Sequence, residues 1–320
     1  MAKYLVTGGA GFIGSHIVEE LVKKGESVRV LDNLETGKES NIAPFLTKIE
    51  FIKGDIRDAE MCKNVCSGVD YVLHQAALGS VPRSIDDPKT TNDVNITGTL
   101  NMLIASRDSK TKRFVFASSS SVYGDSPALP KVETMPPNPL SPYALSKYAG
   151  ETYAILFCKL YGLETVALRY FNVYGPRQDP DSQYAAVIPR FVSTLVSGKR
   201  PVIYGDGNQT RDFTYVGSAV LANLLACEAS SVACGRTYNI AGGRKVSIND
   251  LFYSIRTLVA KERKEAGRID PVYDPPRPGD VRESLADISQ AEKFLKHSGA
   301  VEIREGLSRT IDYYFNVSTP

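Results

Sequence analysis

Short apolar runs alternate with amphipathic stretches along the first half of the chain. Lys3 to Val6 (KYLV) is an apolar run that ends in the glycine-rich TGGAGFIG. Ser15 to Lys24 carries apolar residues at helical spacing, and Gly25 closes that helix as a C-terminal cap. Apolar runs return at SVRVLD, IEFIKGD, VDYVLHQAA, KRFVFASSSS and TVALRYFNVYG, with helical patterns between most of them, including 93–107 and 142–161. Strands alternating with helices predict an α/β fold whose sheet is parallel and covered on both faces. Such a doubly wound sheet presents ligands at the carboxyl ends of its strands.

The second half is punctuated by proline and glycine, in GPRQDP, GKRP, YGDGNQTRD and YDPPRPGD. Short helices are predicted at about 187–197, 217–229, 248–262 and 289–296, which suits a smaller α/β lobe built around a ligand. The strand TYNIA at 237–241 and the helix before it have the pattern to rejoin the first sheet. The expected division is therefore 1–170 for the sheet domain, with 216–241 returning to it, and 171–320 for the ligand lobe. A length of 320 residues agrees, at about 150 residues per domain.

Composition adds exclusions. Lysine plus arginine is 38 against 36 for aspartate plus glutamate, so no chain-wide charge holds a nucleic acid or an anionic membrane. No run approaches the ~18 apolar residues of a membrane helix. The start, MAKYLVTGG, leads straight into a strand pattern without a basic leader, so a cytoplasmic location is expected. The five cysteines include no C-x-x-C pair. Cys62 and Cys66 share a helix face, with His74 as the nearest further ligand type, but no metal is expected.

Chemistry enters with the glycine turn. Gly9-x-Gly11-x-x-Gly14 follows a strand and opens a helix, and Gly8, Gly11 and Gly14 form a second register. Glycines let backbone N–H groups approach a pyrophosphate, and the helix N-terminus adds partial positive charge. Asp32 ends the second strand, 18 residues past Gly14, where an acid takes ribose hydroxyls. An acid there favours NAD, since it repels the 2′-phosphate of NADP. Asp55, after the third strand, reads either as an adenine contact or as an ordinary turn residue.

Tyr143 and Lys147 stand four apart, on one face of a helix. A cation beside a phenol lowers its pKa from about 10 and makes it a usable base. Before them, Ser118 to Ser121 and VYG close a strand, which brings hydroxyls to a carboxyl end.

Together TGGAGFIG, Asp32, HQAA at 74–77, SSSSVYG and YALSK resemble the extended short-chain dehydrogenase/reductase family, over nearly the whole chain. GDGNQTRDF and RPGDVRESLADISQA are similar to the substrate lobe of its nucleotide-sugar 4-epimerases. HQAALGSVPRSIDDP and RYFNVYGPRQDPDSQYAAVIP resemble the bacterial branch acting on UDP-N-acetylglucosamine and UDP-N-acetylgalactosamine. The resemblance implies an NAD-binding Rossmann domain, tightly bound NAD, a UDP-sugar substrate and a homodimer built on the helices at 93–107 and 142–161.

Carried over by motif, Tyr143 is the base and Lys147 its partner and a ribose ligand. Ser119, three residues before the VYG, is the catalytic serine; Ser120 and Ser121 are further candidates for touching substrate. Gly8, Gly11, Phe12, Ile13, Gly14, Asp32, Asn33, Asp55, Ile56, Gln75, Ala76, Ala77, Asn95 and Tyr170 line the cofactor. Arg83, Asn172, Ala186, Val187, Tyr204, Arg211, Arg277, Asp280 and Ser284 line the nucleotide sugar. Arginines suit a diphosphate, because several donors meet two oxygens at once. Arg83 also fits a surface loop arginine, and Ser284 a small packing residue.

Dehydratases and decarboxylases of the family carry Asp-Glu or Glu just before the VYG. Here those positions are Ser120 and Ser121, which cannot titrate usefully. The expected reaction is therefore reversible oxidation at C4, through a 4-keto sugar. At Ser284, where some glucose-only epimerases are bulky, a small residue leaves room for a 2-N-acetyl group. The leading reading is UDP-GlcNAc/UDP-GalNAc, with UDP-glucose/UDP-galactose as a further pair. UDP-glucuronate 4-epimerisation, a net-reducing dehydrogenase and a non-catalytic NAD sensor or scaffold are the alternatives.

Overall fold

The computed structural model describes residues 1–180, 186–276, 282–298 and 301–318. The first half lays down β1 (Lys3–Thr7), α1 (Phe12–Lys23), β2 (Ser27–Asp32), β3 (Ile49–Lys53), α2 (Ala59–Cys66), β4 (Tyr71–His74), α3 (Val81–Asp86), α4 (Pro88–Asn92), α5 (Thr99–Asp108), β5 (Arg113–Ser119), α6 (Pro142–Tyr161) and β6 (Glu164–Tyr170). Then follow β7 (Val173–Tyr174), α7 (Val187–Val196), β8 (Val202–Tyr204), β9 (Thr210–Arg211), β10 (Thr214–Tyr215), α8 (Val216–Glu228), β11 (Arg236–Ile240), β12 (Val246–Ser247), α9 (Ile248–Glu262), β13 (Val272–Asp274) and α10 (Ile303–Ser318).

Seven of the described strands form one parallel sheet in the order β11-β6-β5-β4-β1-β2-β3. The order reverses between β1 and β4, and a ligand crevice opens at such a switch point. β1 and β5 are buried along nearly their whole length, as a strand covered on both faces must be. On one face Ile17, Val18 and Leu21 of α1 pack with Ala219, Ala222 and Ala226 of α8. On the other, Cys62, Met102, Leu103 and Phe157 bring α2, α5 and α6 against Leu5, Phe114 and Phe116. A separate core forms where Phe191 of α7, Phe252 and Ile255 of α9 and Ile311 of α10 meet.

Two predicted elements are broken. The helical stretch 93–107 opens with a π-helical segment, Asp93–Gly98, before α5. Gly98 there meets Ile56 so closely that a β-carbon would stand 2.6 Å from its side chain. The long run TVALRYFNVYG does not stay extended: β6 ends at Tyr170, Asn172 takes φ +35°, and a two-residue β7 pairs with β10 instead. No helix among the described residues is long and apolar enough to cross a membrane.

Candidate active site

At the amino end of the crevice, Gly11 caps α1 with no side chain, which leaves its first-turn N–H groups open. Gly8 adopts φ +67°, and a β-carbon on it would stand 2.7 Å from Ala76 N. A β-carbon on Gly14 would run into the Gly8 carbonyl. The glycine spacing therefore answers to backbone meeting backbone at the β1–α1 turn. Asp32 is buried and accepts from Ala10 N at 2.9 Å and Leu34 N at 2.8 Å, and burial pushes its carboxyl up despite both bonds. The Asp55 carboxylate is bound by Arg57 and by Asn33 Nδ2, and Arg57 above all holds it near 2.

These residues surround a cavity of about 730 Å³, lined also by Phe12, Ile13, Ile56, Gln75, Ala76, Ala77, Tyr143, Lys147 and Tyr170. Gln75 and Tyr170 are tied to one another: Tyr170 donates to Gln75 Oε1 at 3.3 Å, and Asn223 Nδ2 donates to the Tyr170 hydroxyl at 2.7 Å. Asn223 in turn accepts from Gln75 Nε2 at 3.0 Å, so α8 braces the far end of the cavity. His74, next to Gln75, has both ring nitrogens engaged, by Thr7 at 2.7 Å and Thr99 at 3.0 Å.

Tyr143 and Lys147 lie one turn apart on α6, whose start is capped by the Ser141 hydroxyl. Lys147 is buried, its Nζ donates to the Ala117 carbonyl at 2.9 Å, and burial lowers its ammonium to about 8. The phenol departs from expectation. Burial raises Tyr143 above its ordinary 10, and the group that opposes this is the Ser119 hydroxyl. Desolvation of the phenolate outweighs a lysine whose head group is spent on a backbone carbonyl.

The four serines divide by direction. Ser118 turns back into the protein and donates to Glu151 Oε2 at 2.8 Å. Ser119, Ser120 and Ser121 line a second cavity of about 470 Å³ with Tyr143, Tyr170, Asn172, Arg211 and Ser284. A third cavity, about 330 Å³, is lined by Asn172, Ala186, Val187, Tyr204 and Arg211. Tyr143 belongs to the first two cavities; Asn172 and Arg211 belong to the last two. The three therefore adjoin, with the phenol between the first two, an arginine between the last two, and Ala186 shared by the first and third. Ser284 is set there by backbone bonds, its N–H donating to Thr210 O at 3.2 Å, beside Arg211.

Asn95 and Arg83 take positions of their own. Asn95 does not face the large cavity. Its amide is spent on both backbone groups of Leu78 and on Ser146 Oγ, because the π-helical segment turns it inward. Arg83, on α3, lines the large cavity together with residues of the cofactor set. Arg277 and Asp280 lie outside the described residues. Residues unsuspected from sequence are Gly37, Lys38, Gln178 and Asp179 around the large cavity, and Lys131 and Glu283 on the second. None sits in a spacing that marks it.

Residues 4–241 match the NAD dependent epimerase/dehydratase family. The chain belongs to this family. A UDP-N-acetylglucosamine 4-epimerase of Methanobrevibacter ruminantium M1, solved in complex with UDP-N-acetylmuramic acid, is 42% identical, with a TM-score of 0.91 and 99% of each chain covered. A UDP-glucose 4-epimerase of Thermotoga maritima, solved with UDP-glucose, is 39% identical with a TM-score of 0.90, over 98% of this chain and 99% of the other. A UDP-glucose 4-epimerase of Mycolicibacterium smegmatis is 38% identical over 98% of this chain and 99% of its own.

NAD is the cofactor of this epimerase/dehydratase. The 730 Å³ cavity fits it. Gly8 packs against Ala76 without room for a β-carbon, the α1 N-terminus lacks a side-chain cap, and Asp32 stands at the end of β2. Gly37 covers that carboxylate, and a β-carbon on it would lie 2.9 Å from both oxygens. The glycine turn would hold the pyrophosphate and Asp32 the adenosine ribose.

Proposed function

We propose that this chain interconverts UDP-N-acetylglucosamine and UDP-N-acetylgalactosamine by inverting C4 through a 4-keto sugar, with UDP-glucose and UDP-galactose as a further pair. The broader class, an NAD-dependent UDP-sugar 4-epimerase, is that of relatives matched along the whole chain. The observation that carries the reading is the junction of two cavities, where the Tyr143 phenol stands between the cofactor cavity and the serine-lined one.

Tyr143, as phenolate, takes the proton of the sugar 4-hydroxyl, and Ser119 holds the same oxygen. The chemistry that bound NAD supplies is reversible hydride transfer at C4. Arg211 holds the diphosphate at the junction of the nucleotide and sugar cavities while the keto sugar turns over. Tyr143 then returns the proton. Dehydration would need a second acid beside the phenol, where this chain has Ser120 and Ser121. Glu283 also lines the sugar cavity, but Lys245 holds its carboxyl below the usual range, so it stays ionised. Ser284 on the same wall leaves space for an N-acetyl group.

One observation favours UDP-glucuronate as a second reading. Lys131 is 3% exposed and lines the sugar cavity, and an ammonium there suits a C6 carboxylate. Incubating the purified protein separately with UDP-GlcNAc, UDP-glucose and UDP-glucuronate, without added NAD, tests the proposal. The 4-epimer of UDP-GlcNAc should form fastest. Turnover of UDP-glucuronate alone would give the second reading its place.

The protein is further proposed to be a homodimer. Ile104 of α5 and Leu145, Leu156 and Leu160 of α6 are exposed apolar residues on the two helices that the family resemblance assigns to pairing. Sedimentation should give twice the chain mass; a monomer at every concentration would refute it.

A further inference from the structure

Asp212 and Phe213 separate the two-residue strands β9 and β10. Asp212 is fully buried and lines none of the three cavities. Its bonds nonetheless reach three segments that lie far apart in the chain. Oδ1 accepts from Gly242 N at 2.9 Å, just beyond β11 of the large sheet. Oδ2 accepts from Ala286 N at 3.1 Å, two residues past Ser284. The Asp212 backbone carbonyl accepts from Asn172 Nδ2 at 2.8 Å, at the turn between β6 and β7. A β-carbon on Gly242 would lie 2.5 Å from the Phe213 carbonyl, so this close approach requires a glycine.

The residues next to these bonds face the site. Arg211 immediately precedes Asp212, and Asn172 and Ser284 stand at the ends of two of its contacts. All three line the 470 Å³ cavity, and Asn172 and Arg211 also line the 330 Å³ one. The Ser284 segment is fastened to β9 a second time, since Ser284 N donates to Thr210 O at 3.2 Å and Thr210 N to Arg282 O at 2.9 Å. A buried carboxylate loses its hydration, which only hydrogen bonds can offset. Here its two oxygens meet two backbone N–H groups from separate segments. An apolar side chain would leave both N–H groups unsatisfied, and an amide has one acceptor oxygen for the two of them.

We propose that Asp212 is a positioning residue for the nucleotide sugar: its carboxylate ties the Arg211 strand to the Ser284 segment and to the end of the large sheet, and so sets Arg211, Asn172 and Ser284 against the substrate. This rests on the reading of Arg211 as the diphosphate ligand and deepens it, because Asp212 acts through its neighbours and not on the substrate. Tyr143 and Lys147 stand on α6, and none of these bonds reaches them, so binding and chemistry should separate.

The test uses the NAD-loaded protein and two variants, Asp212→Asn and Gly242→Ala. The first keeps the shape of the side chain and removes one acceptor; the second presses a β-carbon into the same contact from the other side. Each should weaken UDP binding in calorimetry, and raise KM for the UDP-sugar turned over, by about tenfold, with kcat within about twofold of the parent. Arg211→Met should lose UDP affinity by itself, and in that background Asp212→Asn should cost less than about threefold more, because residues acting as one unit are not additive. UDP bound as tightly by Asp212→Asn as by the parent overturns the proposal; should that variant fail to fold, Gly242→Ala decides in its place. A fall in kcat at unchanged KM also overturns it, as does the same loss added in full on top of Arg211→Met. An Arg211→Met that binds UDP like the parent removes the reading of Arg211 and this proposal with it. A loss in Arg211→Met without one in Asp212→Asn removes this proposal alone.

Discussion

Lys38 and Asp179 form an ion pair of 3.0 Å between two segments that line the dinucleotide cavity, one following β2 and the other following β7. The second segment is itself anchored to α1: Arg177 binds Ser15 and Glu19, and the His16 ring bonds the Pro176 carbonyl. The pair thus ties the loop beyond Asp32 to a braced wall across the mouth of the cavity.

Both side chains are partly exposed, so the pair contributes under about 1 kcal/mol. Lys38→Ala and Asp179→Asn should each release NAD about two- to fivefold faster, and added salt should shrink the difference from the parent. Retention of the nicotinamide absorbance after gel filtration reads this directly. Equal release from parent and variants would show that the pair does not latch the cavity.

Ser284 shares the sugar cavity with Tyr143 and is held there by backbone bonds. Ser284→Tyr should cut turnover of UDP-GlcNAc by about tenfold or more, as a steric cost above ~1.4 kcal/mol requires, and spare UDP-glucose. An equal loss on both substrates, measured as kcat/KM, would count against a gate at this position.

Glu151 continues the Tyr143 and Lys147 face of α6 by one turn. Its carboxylate binds Arg169 at 2.6 and 3.0 Å and Ser118 at 2.8 Å, and both ion-pair partners are almost fully buried. Arg169 also stands 4.6 Å over the Tyr123 ring. Arg169→Met strands a buried carboxylate and should cost about 3–5 kcal/mol in urea unfolding, whereas Glu151→Leu with Arg169→Met should recover much of it. A double variant as unstable as the single one would refute the argument.

His74 and His16 are held neutral, mainly by burial, with pKa values lowered from 6.5 to about 3 and about 4. Below 6.5 the unfolded chain takes up protons that the folded one refuses, so stability falls as pH drops from 6.5 toward 4. Asp212 works against this, because burial raises it from 3.8 to about 6 and the fold gains a proton in that window. Burial also lowers His297 and raises Asp32 and Glu133, and the two large histidine shifts outweigh the one large aspartate shift. Tm should fall between pH 7 and 5, and His16→Gln, which keeps a donor for the Pro176 carbonyl, should flatten the slope. A slope unchanged in that variant would remove His16 from the account.

Features carried by neighbours in the chain are legible in the sequence by itself. Glycine spacing, an acid at a strand end and a tyrosine one helical turn from a lysine follow from the periods of 2 and 3.6 residues. These locate Gly8, Gly11, Gly14, Asp32, Tyr143 and Lys147 in the cleft. The seven-stranded parallel sheet is likewise readable from alternating apolar runs. The two- and three-residue strands of the smaller lobe are not, since so few residues carry no period. Tertiary packing decided the rest. It turned Asn95 inward to Leu78, set Arg83 on the cofactor cavity, gave Ser118 to Glu151 and Ser119 to Ser121, and raised the phenol where spacing alone predicted a lowered one. Most of these contacts join segments far apart in the chain. Their geometry and their desolvation exist only once the sheet, α6 and the loops have closed around one cleft.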